Sequence, residues 1–325
     1  MRFALFFSAL LASGAFAFDS EEWLGKRELL GHEAERLRGA YLEHSRLISA
    51  PAENIAVPIE TYSDGTIKSS ISAKRAQLFL DTGFVWGEDV TVRQFSKGGA
   101  VESEVKAGKC IIDRNTRSGW AEGRADARHE NAGLKGEGIY FSFSEEFVKI
   151  CTNTEIRVSG VKLDRSAFKG TQAKNDKVKD MPERTAVITA ARTDYDRKEG
   201  VLFFDGAVSL DDGEYRMCSD RLYVFLDGTN ELKRIVADGR VKLVNEQREG
   251  SCDRATFLKS ESKVVLYGDG ENKPARLVDK SERRSEIEGR QITFWIDSEQ
   301  VEVEQSTLTI EVGGGTRDMK GILGK

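Results

Sequence analysis

The chain has 325 residues, with 49 Lys and Arg against 54 Asp and Glu and a formal net charge of −5. The two signs are interspersed, which excludes a general nucleic-acid binder, because such a protein needs a basic face to displace counterions from phosphate. Thirty-one Gly against four Pro suit many strands joined by Gly-containing turns and do not suggest disorder.

Arg2, the apolar run from Phe3 to Gly14 and the small-residue site Ala15-Phe16-Ala17 read as a signal peptide over 1–17, cleaved before Phe18. The run falls short of the roughly 20 residues a spanning helix needs, so the mature chain is expected to be soluble in an extracytoplasmic space. Over 18–50, Leu30, Ala34, Leu37, Tyr41 and Ile48 recur at helical spacing with charge on the other face, which predicts one amphipathic helix ending before Pro51. It is either a docking helix for a partner or membrane surface, or a cap over the end of the β structure. Its mixed Glu and Arg face disfavours the membrane version.

From Ile55 to about Val312 the texture is period-two alternation, the mark of half-buried strands. The clearest repeat runs from Ile188 to Leu243. Its first copy carries Leu202, Phe204, Gly206, Val208 and Leu210, its second Ile235, Ala237, Gly239, Val241 and Leu243. Phe84, Trp86, Val90 and Val92 align with the first copy. A four-residue signature sets the register of the intervening strands. Arg75-Ala76-Gln77-Leu78 matches Arg221-Leu222-Tyr223-Val224, Arg254-Ala255-Thr256-Phe257 and Gln291-Ile292-Thr293-Phe294, and more loosely the stretches from Lys109 and from Gly138. The second and fourth residues of each share one sheet face. Units recur about every 29 to 37 residues, which indicates a stacked architecture, with Gly where each strand bends.

The period breaks once, in the Lys- and Asp-rich stretch 160–184. It reads as a linker between β lobes at 51–159 and 185–312, or else as a lateral loop in one continuous stack. The tail 313–325 reads as flexible. Cys110, Cys151, Cys218 and Cys252 lack CxxC spacing, so zinc and thioredoxin-type readings have little support. Cys218 and Cys252 start equivalent strands, and a disulfide between them is expected in an oxidising space. Cys110–Cys151 is a second candidate pair, and free buried thiols are the alternative.

This repeat of Asp-Arg-Leu, a turn, then apolar-x-Gly-x-Val-x-Leu resembles the OstA-like fold of the lipopolysaccharide-transport proteins LptA and LptC and of the LptD N-terminal domain. The 185–312 lobe is similar to LptA. The 51–159 lobe, particularly from Gly65, is similar to LptC, and together they cover about three quarters of the chain. The resemblance implies an all-β protein: a repeated, open-ended, twisted β-jellyroll stack in two lobes, preceded by one amphipathic helix. It further implies an inner apolar face that holds acyl chains, and open ends that pair head-to-tail in a bridge across the periplasm. On that reading Leu202, Phe204, Val208, Leu222, Val224, Ala255, Phe257, Ile292 and Phe294 line the lipid groove. Each methylene moved from water into such a groove contributes roughly 0.8 kcal/mol. The implied partners are lipopolysaccharide, an LptD-like outer-membrane protein, an inner-membrane ABC transporter complex and a second copy of the chain. No cofactor or metal is implied. LptC keeps a membrane anchor where this sequence has a cleavable signal, and the single-domain relatives lack a second lobe.

An enzyme needs a nucleophile, an acid–base pair or a metal site. His32 and His44 lie on the helix, His129 is isolated, and the sequence has no HExxH or GxSxG motif. Glu145-Glu146 and Asp211-Asp212 read as solvated turn residues. A non-enzymatic competitor is a β-solenoid scaffold or adhesin with a filled core and no lipid cargo.

Overall fold

The computed structural model describes residues 20–129, 132–161, 184–227, 232–269, 273–280, 285–295, 300–304, 307–312 and 315–320. The predicted signal peptide and most of the predicted linker lie outside the described residues. One helix, α1 (Ser20–His44), precedes the strands β1 (Ala52–Thr61), β2 (Ile67–Leu78), β3 (Phe84–Phe95), β4 (Val101–Asp113), β5 (Ser118–His129), β6 (Ala132–Ser142) and β7 (Phe147–Val161). The chain continues through β8 (Arg184–Ala190), β9 (Arg192–Asp196), β10 (Val201–Asp211), β11 (Arg216–Leu226), β12 (Leu232–Val244), β13 (Arg248–Leu258) and β14 (Lys263–Tyr267). It ends with β15 (Ala275–Asp279), β16 (Ser285–Gly289), β17 (Gln291–Trp295), β18 (Val301–Glu304), β19 (Thr307–Val312) and β20 (Gly315–Lys320). All 20 strands join one antiparallel sheet.

The sheet folds along a crease because most strands bend midway. At the bend the pairing slips, for example between Asp205 and Val208 and between Asp238 and Val241, as a β-bulge does. Gly206 and Gly239 sit there at φ +83° and +78°, the left-handed region that only Gly enters at low cost. A Cβ on Gly239 would also lie 2.5 Å from Asp220 Oδ2. The bend sends the two halves of a strand into different arms. The first half of β7 pairs with β9, and its second half pairs with β8.

The same pairing carries the ladder across the composition break. β8 lies antiparallel to β7 up to the partners Val161 and Arg184, and β10 pairs in turn with both β8 and β9. The two lobes therefore share one sheet. Within the predicted tail, Gly315–Lys320 pairs antiparallel with Thr307–Val312. The unpaired edge of β19 has backbone donors and acceptors to satisfy, and the next residues supply them.

Helix α1 does not cap an end of the stack. It crosses the outer face of one arm, called here the first arm, where Leu30, Ala34, Leu37 and Tyr41 pack on Phe84, Trp86, Ile111, Trp120, Tyr140 and Phe147. Trp23 packs on Phe203 and Tyr223 farther along. The physical reason is the outward aromatic row. In register, Trp86, Ile111, Trp120 and Tyr140 run from β3 to β6, and Phe203 and Tyr223 continue on β10 and β11. Twenty-five helical residues span about 37 Å, which matches the width of the eight first-arm strands from β3 to β11 at about 4.8 Å each. Phe84 and Trp86 thus face the helix, whereas Leu202 and Phe204, with which they align in sequence, face inward. The bend at Asp89 (φ 51°) displaces the parity of β3, and Gly87 is its inward residue.

Candidate functional site

The inner face of the first arm carries one row of residues, each in register with the next. In the N-terminal lobe it runs Ala76, Gly87, Cys110, Ala121, Ile139, Ile150. Thr193 follows on β9, and then Phe204, Leu222, Ala237, Ala255, Leu266 and Ile292. With Val303 on β18 the row crosses 14 strands, a length of about 60 Å at 4.8 Å per strand. The Arg-Ala-x-Leu signature marks the point where each strand that carries it leaves the crease along this row.

Eight of the nine predicted groove residues, namely Leu202, Phe204, Val208, Leu222, Val224, Ala255, Ile292 and Phe294, belong to one apolar cluster. Phe257 lies on the same face, in register with Ile235 and Val264. That cluster also contains Ile156, Ile188, Met217 and Leu277 from the other arm, so the inner faces of the two arms oppose each other. Burial falls away from the crease. Phe204, Val208, Leu222 and Ile292 are fully buried, whereas Leu202, Leu210, Val224, Phe257 and Phe294 are half-buried. The arms therefore enclose an apolar slot that is filled along its crease and partly open at the strand tips.

Sequence reading missed the second wall. Leu134, Ile156, Ile188, Leu210, Met217 and Leu243 form an unbroken in-register row on the second arm. The obstacle is parity. On β11 and β13 the inward residues flanking the bend are Ser219 with Leu222 and Cys252 with Ala255, three apart, so strict alternation places them on opposite faces. Only the bulge turns both inward.

The Asp-Arg motif belongs to the outer side of the crease. Arg192, Asp205, Arg221, Asp238 and Arg254 stand opposite one another on successive strands. Arg192 pairs with Asp205, Arg221 lies 3.7 Å from Asp205 and 3.8 Å from Asp238, and Arg254 lies 2.9 Å from Asp238. Opposite charges directly across strands favour this register, so the motif fixes the stack and leaves the slot to apolar residues. Asp212, expected to be solvated, is buried and accepts the backbone N–H groups of Glu214 and Tyr215.

The predicted Cys218–Cys252 disulfide is corrected. Cys218 is exposed on the outer face, Cys252 points inward, and β12 lies between their strands. Two strand spacings are about 9.6 Å, beyond the roughly 7 Å limit for a bridge. All four thiols are free. Burial pushes Cys110 and Cys252 up to about 12 and also raises Cys151, which withholds the reactive thiolate. At pH 8, iodoacetamide is expected to modify Cys218 first, with the other three reacting only after denaturant is added. Peptide mass mapping against time reads the order.

In the N-terminal lobe the slot holds a cavity of about 30 Å³ lined by Val90, Val92, Val105, Ala107, Cys110 and Ile112, among others. That is room for a water molecule or two and far too little for an acyl chain, which enters there only if the arms part. The stack ends in free strand edges. At the N-terminal end β1 pairs only with β2, is largely exposed, and carries Pro58 next to an irregular register. Pro and bulges blunt a sheet edge. At the C-terminal end β18 and β20 each have one described neighbour, and no Pro interrupts them.

Residues 187–308 match the family described as LptA/(LptD N-terminal domain) LPS transport protein. Among solved structures the chain is similar to LptH, the LptA-homologous periplasmic component of the lipopolysaccharide transport device of Pseudomonas aeruginosa. The TM-score is 0.32 at 14% identity, over 36% of this chain and 80% of that one. No curated protein matches.

Proposed function

We propose that this chain, whose residues 187–308 carry an OstA-like lipopolysaccharide-transport domain, is a periplasmic bridge component. It carries lipopolysaccharide or a similar lipid between membranes in its apolar slot, and it joins other OstA-like domains by strand addition at its ends. The observation that supports this reading best is the burial gradient of the inner face. Through the C-terminal lobe a row of similar apolar residues, buried at the crease and half-buried at the mouth on successive strands, gives acyl chains an apolar path. Successive positions offer much the same surface, so a chain can advance without leaving a deep trap.

A scaffold with a filled core is favoured by one observation, the narrow N-terminal interior, and it makes the opposite prediction. With a photocrosslinker at Val224 or Phe294, half-buried at the mouth of the slot, the mature chain is expected to label with lipopolysaccharide. A crosslinker at Arg240, exposed on the outer surface, is expected not to label. A folded protein that gives no adduct at either slot position would favour the scaffold.

The two ends are not equivalent. The Pro and irregular register of β1 disfavour continuous pairing at the N-terminal end. The C-terminal edges β18 and β20 have no such guard, and strand addition there follows the general mode of β-augmentation.

A further inference from the structure

Two hydroxyls stand inside the slot where the lobes meet. Thr193 holds the β9 place in the inner row of the first arm, in register with Ile150 on one side and Phe204 on the other. Thr154 lies across the bend of β7 from Ile150, in register with Ala190 and on the face of Ile156. They are 1% and 2% exposed, and neither Oγ1 has a hydrogen-bond partner among the described residues.

This is unusual within the stack. Between Gly87 and Ile292 every other member of the first-arm row is Gly, Ala, Cys or a larger apolar residue. Ser219, the inward hydroxyl two strands on from β9, donates to the Arg221 carbonyl at 2.8 Å and so is satisfied locally. A buried hydroxyl without a partner opposes folding, and a Val of the same shape would remove that cost. The two threonines sit diagonally across the crease on neighbouring strands, near the middle of the 14-strand row. On the outer face of the same strands Asp194 accepts from Arg27 at 2.5 Å and from Lys149 at 3.1 Å, which pins this level of the first arm to α1.

We propose that Thr154 and Thr193 form a polar binding position within the apolar slot. It takes an oxygen carried part-way along an apolar chain, either a hydroxyl or a carbonyl of a substituted fatty acyl group. A threonine hydroxyl both donates and accepts, so it meets either oxygen, whereas a plain alkyl chain leaves both hydroxyls unpaired. A site that hydrogen-bonds a ligand discriminates against the analogue that lacks the group. The proposal rests on the lipid-carrying reading of the slot, and the test separates the two.

The mature full chain is titrated with tetradecanoic acid, 3-hydroxytetradecanoic acid and 3-oxotetradecanoic acid, each displacing a fluorescent fatty acid. The wild type is expected to bind one or both oxygenated chains about 5- to 10-fold more tightly than the plain chain, as one or two buried hydrogen bonds allow. Preference for the hydroxy acid alone identifies the hydroxyl as the group read, and equal preference identifies any acceptor oxygen. Thr154→Val with Thr193→Val is expected to bring the ratios to about one without weakening the plain chain, while the Ser variants keep them. If the double variant fails to fold, each single Val variant is expected to lower the ratios part-way.

Equal binding of all three chains by the wild type overturns the polar position and leaves the slot reading standing. Equal binding together with a higher melting temperature for the Val pair assigns the hydroxyls to a buried water. Ratios that persist in the Val pair overturn the assignment to these residues. Failure of every chain to bind overturns the slot reading and the proposal with it.

Discussion

Replacing Leu37 with Ala is expected to lower the unfolding free energy by about 2–5 kcal/mol, the range for truncating a fully buried leucine. Leu37 is 0% exposed in the C-terminal half of α1, pressed onto the outward aromatic row of the first arm. Leu37→Asp adds an unpaired charge to that contact and is expected to release the helix altogether. Because α1 crosses strands from β3 to β11, its release uncovers aromatic surface on both lobes. Increased binding of a hydrophobic dye, a red shift of Trp86 and Trp120 emission and proteolysis within 20–44 read it. Unchanged protection of the helix in Leu37→Asp would show that the ion pairs, not the apolar face, hold it.

Those ion pairs give the helix contact a pH dependence. Burial acts to raise the Asp113 carboxyl, but the Arg36 guanidinium at 2.8 Å and the backbone N–H groups of Asn115 and Thr116 outweigh it, so the net shift is downward. Glu33 is lowered chiefly by its hydrogen bond from Arg36. Both carboxyls are depressed by folding, so their contribution is present above their unfolded values of about 4 and is lost as pH falls through the lower folded ones. Helix release in Leu37→Ala is expected to advance on acidification below about pH 4.

Val301→Lys with Val303→Lys is expected to weaken end-to-end association at least about 10-fold while the stack stays folded, the effect of inward charges that blunt a free sheet edge. Val301 and Val303 are half-buried on the terminal strand β18 and pack against the slot cluster. Deleting everything from Val301 is less decisive, because it moves the free edge inward to β17. Sedimentation of the mature chain, alone and with a partner OstA-like domain, reads the association. Unchanged association would place the contact at another edge.

Much of this protein was legible in its sequence. Alternation from Ile55 to Val312 determined the strands, the Arg-Ala-x-Leu signature placed Leu222, Ala255 and Ile292 on one face, and the Gly before each last apolar pair marked the bend. Leu30, Ala34, Leu37 and Tyr41 determined which side of the helix is apolar. These properties depend on local backbone geometry, and a local pattern reports them. The tertiary structure alone decided what each face meets. It laid the helix along both lobes instead of over an end, because the outward aromatic row exists only once distant strands are paired. It also decided that Leu134, Ile156 and Met217 form the second wall, that Cys218 and Cys252 lie on opposite faces, and that Thr154 and Thr193 share the interior. Each of these depends on a bulge that shifts parity by one residue, and a one-residue shift moves a side chain from one face of a sheet to the other.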